Sequence, residues 1–181
     1  MKLTDIKLTR TKLQLWNALC ELLFNEKREF DTLTINDICQ QAFVHRSTFY
    51  NHFSDKFHLF QFGYELTLSK KSGFSTASRL LSPFETIVNV NEQLMFPILL
   101  HSYPNSLKPL IHEAQKKEIT MNLTLLLEKN YDLKLPLEIT ADLLTSVYTA
   151  LSNYVISNKM SAQEADHSFR LFIKGGLITE L

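Results

Sequence analysis

Seven side chains able to hydrogen-bond crowd into eight positions: His45, Arg46, Ser47, Thr48, Tyr50, Asn51 and His52. None of them is a carboxylate. Arg46 carries a forked guanidinium that can pair bidentately with a guanine edge or clamp a phosphate. Ser47 and Thr48 are short enough to let a helix approach a duplex and still bond a base or a phosphate. Tyr50 and His52 can bond phosphate oxygens on the walls of a groove. His45 and His52 stand seven positions apart with no thiol or carboxylate partner, so no metal site is expected from them. The chemistry on offer is recognition of a polyanion.

Elsewhere the chain offers no rival chemistry. It has no Gly-rich phosphate loop, no cysteine pair at zinc spacing and no His-x-x-Glu-His arrangement. No nucleophile-elbow sequence surrounds a serine. The reading is therefore not an enzyme, with no cofactor and no metal.

The elements that position these donors are legible from their spacing. Thr34 caps a first short helix, and Asp37 favours its positive N-terminal end. Ile35, Ile38, Cys39 and Ala42 form its inward stripe. After a tight turn, Val44, Thr48, Phe49 and Phe53 anchor a second helix too short to stand alone. Ser54 then caps a third helix that opens at Asp55-Lys56. Upstream, Thr9 or Thr11 caps a helix running to about Lys27. It carries the stripe Leu15, Leu19, Leu22 and Leu23, with Trp16 and Cys20 alongside. Phe30 and Leu33 close the small core. Residues 1–9, with Lys2 and Lys7, read either as a frayed terminus or as a basic arm that touches DNA.

The series Thr34-Ile35-Asn36-Asp37-Ile38, Ala42, Val44, Arg46-Ser47-Thr48-Phe49-Tyr50, His52-Phe53 and Asp55-Lys56 resembles the helix-turn-helix of the tetracycline-repressor (TetR) family of bacterial transcription regulators. The resemblance is specific over roughly the first 60 residues and is only one of helical layout beyond them. It implies an all-α fold of about nine helices, with a DNA-binding head over 1–58 and a regulatory and dimerising body over 59–181. It points to DNA contacts from Thr34, His45, Arg46, Ser47, Thr48, Tyr50, Asn51, His52 and Lys56. One place departs from the pattern. The family's turn usually holds Gly, and here it is Phe43, which must accept left-handed strain or adopt another turn.

Composition bounds the rest. The chain has 181 residues, of which 45% are hydrophobic, so it can bury a core. Four Gly and five Pro suit helices better than a turn-rich β architecture. Net charge is 0, but residues 1–81 hold 11 Lys+Arg against 8 Asp+Glu, while residues 82–181 hold 8 against 11. A mildly basic front and acidic back fit a DNA reader on a non-DNA body. Cys20 and Cys39 read as small buried hydrophobes in a reducing compartment. No signal peptide opens the chain and no apolar run approaches membrane-spanning length, so a cytoplasmic location is expected.

The body is read as a succession of helices. Phe57 to Ser72 is a long helix that joins head to body, and Ser72 to Ser82 is a loop. Pro83 opens a helix with Phe84, Ile87 and Val88, and another follows with Leu94, Ile98 and Leu99, with Pro97 a kink point. A long helix then runs from near Pro109 to about Lys129. Asn130 to Leu135 is a connection. Pro136 opens a penultimate helix that ends near Asn158. Ser161 with Glu164 makes a capping box for the last one.

The last two helices suit a two-fold dimer through Leu144, Tyr148, Leu151, Tyr154, Val155, Phe169, Phe172 and Ile173, as the resemblance implies. Phe96, His101, Tyr103, His112, Gln115 and Tyr148 are candidate lining of a small-molecule pocket. The function expected is a homodimeric regulator, a repressor, on a palindromic double-stranded DNA operator, modulated by a small-molecule effector. The alternative is a regulator with no such pocket, controlled by a protein partner through its body.

Overall fold

The structure, a computed structural model, describes residues 8–89, 103–174 and 178–179. Two compact units result. The first is residues 1–69 with 103–109, and the second is residues 70–102 with 110–181.

In the first unit, α1 spans Arg10–Cys20. Thr9 caps it, its side chain accepting from the Lys12 amide at 3.2 Å. One π-helical turn, Glu21–Asn25, continues it. A 3-10 turn at Phe30–Thr32 leads to α2 (Ile35–Gln41), α3 (Arg46–Tyr50) and α4 (Lys56–Ser69). Leu15, Leu19, Phe30, Ile38, Phe49, Phe53, Leu59 and Phe60 are buried together, so the inward stripes read from spacing are the core. Phe30 meets Phe57 and Phe60 edge to face, with centroids 5.2 and 5.7 Å apart. Trp16 lies so close to α4 that a Cβ at Gly63 would overlap its indole ring.

The first unit does not stop at residue 58. The inward side chains of α4, Leu59, Phe60, Tyr64 and Leu68, are buried, and they complete this core. The chain also returns to it. Tyr103 packs on Phe60 at 5.2 Å, and Ser106 Oγ donates to Asp31 Oδ1 at 2.5 Å. The boundary therefore falls at Ser69, with 103–109 added.

The second unit opens with a 3-10 turn at Lys70–Gly73. It then comprises α5 (Thr76–Leu81), α6 (Pro83–Asn89), most of α7 (Lys108–Leu127), α8 (Leu137–Ile156) and α9 (Ala162–Lys174). Helix α5 stands in what the composition suggested was a loop. Ser75 caps it, accepting from the Ser78 amide at 3.0 Å, and Leu80 buries its apolar face. The Ser161–Glu164 capping box forms as expected. Asp132–Leu133 pairs antiparallel with Ile178–Thr179 in a two-residue ladder that the sequence did not suggest. The fold is otherwise all-α, and no helix among the described residues is long and apolar enough to cross a membrane.

One cap in this unit comes from far along the chain. The Asp166 carboxylate on α9 accepts from the amides of Phe84 and Glu85 at 2.9 and 2.8 Å, at the start of α6. Arg170, one turn on, donates to Leu81 O and Ser82 Oγ at 3.2 and 3.0 Å.

Candidate functional site

The scaffold of the candidate interface is set by local chemistry. Thr34 and Asp37 form a full capping box at the start of α2. Thr34 Oγ1 accepts from the Asp37 amide at 3.1 Å, and Asp37 Oδ2 accepts from the Thr34 amide at 2.8 Å. Bonds from Thr34, with the Arg28 guanidinium at 3.2 Å, hold the Asp37 carboxyl below its ordinary range. The Thr34 hydroxyl also donates to Asp37, so this residue is occupied as a cap.

The turn after α2 is a Schellman motif. The Phe43 amide donates to Gln40 O at 3.1 Å, and the Val44 amide donates to Cys39 O at 3.0 Å. Phe43 sits in the left-handed region at φ 54°. It therefore keeps the geometry that Gly normally serves and accepts the strain. Its ring is 95% exposed.

Helix α3 buries Phe49 on one side and turns His45, Arg46, Ser47, Tyr50 and Asn51 to solvent on the other. Thr48 and His52 are half-buried beside them. The Arg46 guanidinium lies over the Tyr50 ring at 5.6 Å and donates to its hydroxyl at 3.1 Å. The pair holds a long cation upright on the exposed face.

Lys56 has a different occupation. Its Nζ donates to the carbonyls of Phe30, Asp31 and Leu33 at 2.9, 3.0 and 2.8 Å, and it lies over the Phe30 ring at 4.8 Å. Three donors meet three acceptors, leaving none for a phosphate. Burial lowers its pKa. Lys56 ties the α1–α2 connection to α4 in the DNA-free chain, and a phosphate contact at Nζ has to replace one of these bonds.

The second unit holds a separate polar constellation. A cavity of about 20 Å³ is lined by Lys71, Arg79, Gln115, Glu118, Asn122 and Tyr148, with Leu80, Pro83, Ile119 and Phe169 as apolar wall. That volume is room for about one water molecule. Lys71 and Glu118 pair at 2.9 Å with almost no exposure. Arg79 Nε and Asn122 Oδ1 are buried with no hydrogen-bond partner among the described residues.

Of the four expected lining residues that are described, Gln115 and Tyr148 reach this cavity and Tyr103 and His112 do not. Tyr103 belongs to the core of the first unit and His112 is exposed. Phe96 and His101 lie outside the described residues. Lys71, Arg79, Glu118 and Asn122 were not anticipated. Charged residues spaced along a helix read as solvated, and only packing reveals that these are not.

The expected dimer residues also divide. Leu144, Tyr148, Val155, Phe169 and Ile173 are buried in their own unit, and Leu151 is half-buried. Tyr148 stacks on Phe84 at 4.9 Å. Five of the eight are therefore core and not available to a second copy. Tyr154 and Phe172 are exposed, and Ile139, Leu143 and Leu171 join them as apolar side chains facing solvent on α8 and α9. Among the described residues no cluster of metal-ligating side chains occurs.

This arrangement defines a class of fold, the one seen in TetR-family regulators. The chain is similar to the crystal structure of a putative TetR-family transcriptional regulator from Rhodococcus sp. (18% identity, 92% of this chain and 98% of that one, TM-score 0.61). It is similar to Thermus thermophilus FadR, a TetR-family transcriptional repressor in complex with lauroyl-CoA (20% identity, 94% and 97%, TM-score 0.58). It is also similar to the dihydroxyacetone kinase operon activator DhaS (14% identity, 92% and 95%, TM-score 0.59). No family model matches the sequence, and no curated protein matches it. The likeness is one of fold.

Proposed function

We propose that the protein is a sequence-reading DNA-binding transcription regulator that acts as a homodimer. The observation that carries this reading is the outward face of α3. Five polar or aromatic side chains stand in solvent there, on a helix whose other face is locked by Phe49. The second helix of such a pair enters the major groove with its N-terminal residues on base edges. Arg46 reads a base or clamps a phosphate, with Tyr50 positioning it. Ser47, Thr48, His45, Asn51 and His52 bond bases and phosphates around it. Thr34, exposed at the start of α2, and Lys56, at the start of α4, flank this face and meet phosphates at its edge.

Two copies would meet through the exposed stripe of Ile139, Leu143 and Tyr154 on α8 with Leu171 and Phe172 on α9. A two-fold pair matches half-sites about one DNA turn, ~34 Å, apart. The operator is then palindromic. The sign of regulation is repression, as in FadR, although the fold also serves the activator DhaS.

An effector would enter at the Arg79–Asn122 cavity. The orphaned donor and acceptor there suit a small polar molecule better than an acyl chain. The cavity's small size favours a second reading, in which the body is controlled by a protein partner and binds no small molecule.

Binding-site selection from a random duplex library, at fixed moderate salt, tests the reading. A recovered palindrome supports it, and binding that depends on salt but not on sequence overturns it. Thermal shifts with small polar acids and amides then separate the two modes of control. A dose-dependent rise favours an effector, and co-purification of a stoichiometric protein favours the partner.

A further inference from the structure

We infer that Phe43 is a specificity-determining DNA contact, whose ring meets the C5-methyl group of a thymine in each half-site. The inference rests on the reading of this protein as a duplex reader.

Four observations carry it. The ring is 95% exposed, while no other large apolar side chain among the described residues exceeds 61%. The backbone there is left-handed, φ 54°, a place where a side chain costs energy and Gly would not. The ring has no aromatic partner among the described residues, so the free protein gains nothing visible from it. Two hydrogen bonds of the Schellman motif fix the turn, so the ring is presented without ordering a loop.

The position supplies the partner. Phe43 lies two residues ahead of His45, which caps α3, and three ahead of Arg46. It stands at the end of the recognition helix that enters the groove. Among base edges in the major groove, thymine alone offers a methyl group, and an apolar side chain is its complement.

Charge points the same way. Residues 33–56 hold Arg46 and Lys56 against Asp37 and Asp55, and Lys56 spends its three donors on carbonyls. This segment therefore has little charge to spare for phosphates, so contact with base edges must supply more of the binding. A strained, solvent-facing phenyl ring makes sense as the apolar half of that contact.

The test uses the full-length protein and its selected operator. Each thymine is replaced in turn by uracil, which lacks only the methyl. Wild type is compared with Phe43→Gly and Phe43→Asn, both compatible with the left-handed turn, and thermal melting verifies folding. The expected result is that uracil at one symmetric position per half-site weakens wild-type binding about five- to tenfold, the low end for one altered base pair. Phe43→Gly loses a similar factor on the thymine operator, gains thermal stability, and is indifferent to uracil at that position.

Wild type indifferent to uracil everywhere overturns the inference, even if Phe43→Gly binds weakly, because the ring then meets sugar or backbone. Variants that bind the thymine operator as tightly as wild type overturn it too. Failure of the regulator reading is distinct. No palindrome would be recovered in the first place, and the inference would fall with it.

Discussion

The two units handle polar side chains in opposite ways. In the head, most polar groups of the candidate interface are in solvent or partnered. Arg46 leans on Tyr50, Thr34 on Asp37, and Lys56 on three carbonyls. In the body, charge and amide groups are buried, and two atoms, Arg79 Nε and Asn122 Oδ1, lack a partner among the described residues. An exposed constellation costs little to hold. A buried one is expensive, and it stays tolerable only while its pairs are intact. The head displays its polar groups at the surface, and the body buries its own.

The contrast is broken most strongly at the buried ion pair. Lys71→Met leaves the Glu118 carboxylate buried without its cation, and the body should lose about 3–5 kcal/mol in urea unfolding. Lys71→Met with Glu118→Leu should recover most of that loss. If the single variant is neutral, the pair is not buried as described.

Next is Asp166. Burial raises its carboxyl from an ordinary 3.8 to about 6, against the lowering effect of the Glu85 and Phe84 amides. The folded state therefore holds this proton more tightly than the unfolded chain. Its contribution is fully present below about pH 4 and is lost as pH rises through 6. Asp166→Asn cannot titrate and keeps one acceptor for α6. The stability difference between wild type and variant should move in favour of the variant between pH 4 and 7, measured as urea midpoints. A constant difference would remove Asp166 as the titrating group.

In the head, Gly63→Ala should cost about 1–3 kcal/mol, because the new methyl must displace Trp16 within a packed core. The melting transition of the head should fall, with operator binding recovered at low temperature. Arg46→Ala should leave the melt unchanged and weaken operator binding by about 1–3 kcal/mol, relaxing preference at one position per half-site. Tyr50→Phe should cost less, about 0.5–1.5 kcal/mol, since the ring still supports Arg46 and only the hydroxyl bond is lost. Equal losses at Arg46 and Tyr50 would mean that the hydroxyl itself carries the contact.

Much of the head was legible in the residues because its signals are local. The Thr34–Asp37 box, the inward Phe49 and Phe53, and the outward Arg46 all follow from spacing within one or two helical turns. The bonds of Lys56 to the α1–α2 connection were not legible because its partners are 23 to 26 residues away. A lysine at the start of a helix looks solvated until the connection folds over it.

The body was legible as helices and not as a site. Helix α8 has a broad apolar face, with Leu144, Tyr148 and Val155 on one side of it and Ile139, Leu143 and Tyr154 on the other, opposite a polar stripe of Glu138, Asp142, Ser146 and Asn153. Periodicity alone could not say which stripe is core.

By itself, then, the sequence determined the helical class, the caps at Thr34 and Ser161, the helix-turn-helix and its outward donors. These depend on backbone preferences and contacts a few residues apart. Helix α4, by contrast, is capped by Asp55, which accepts from the His58 amide at 2.7 Å, and not by Ser54 as expected. Only the tertiary structure decided that Phe43 keeps a glycine's turn, that Lys56 faces inward, that Asp166 caps a helix 82 residues before it, and which apolar stripe is left to solvent. Each of those depends on which distant groups remove water from a side chain, and burial is a property of the packed chain rather than of any one segment.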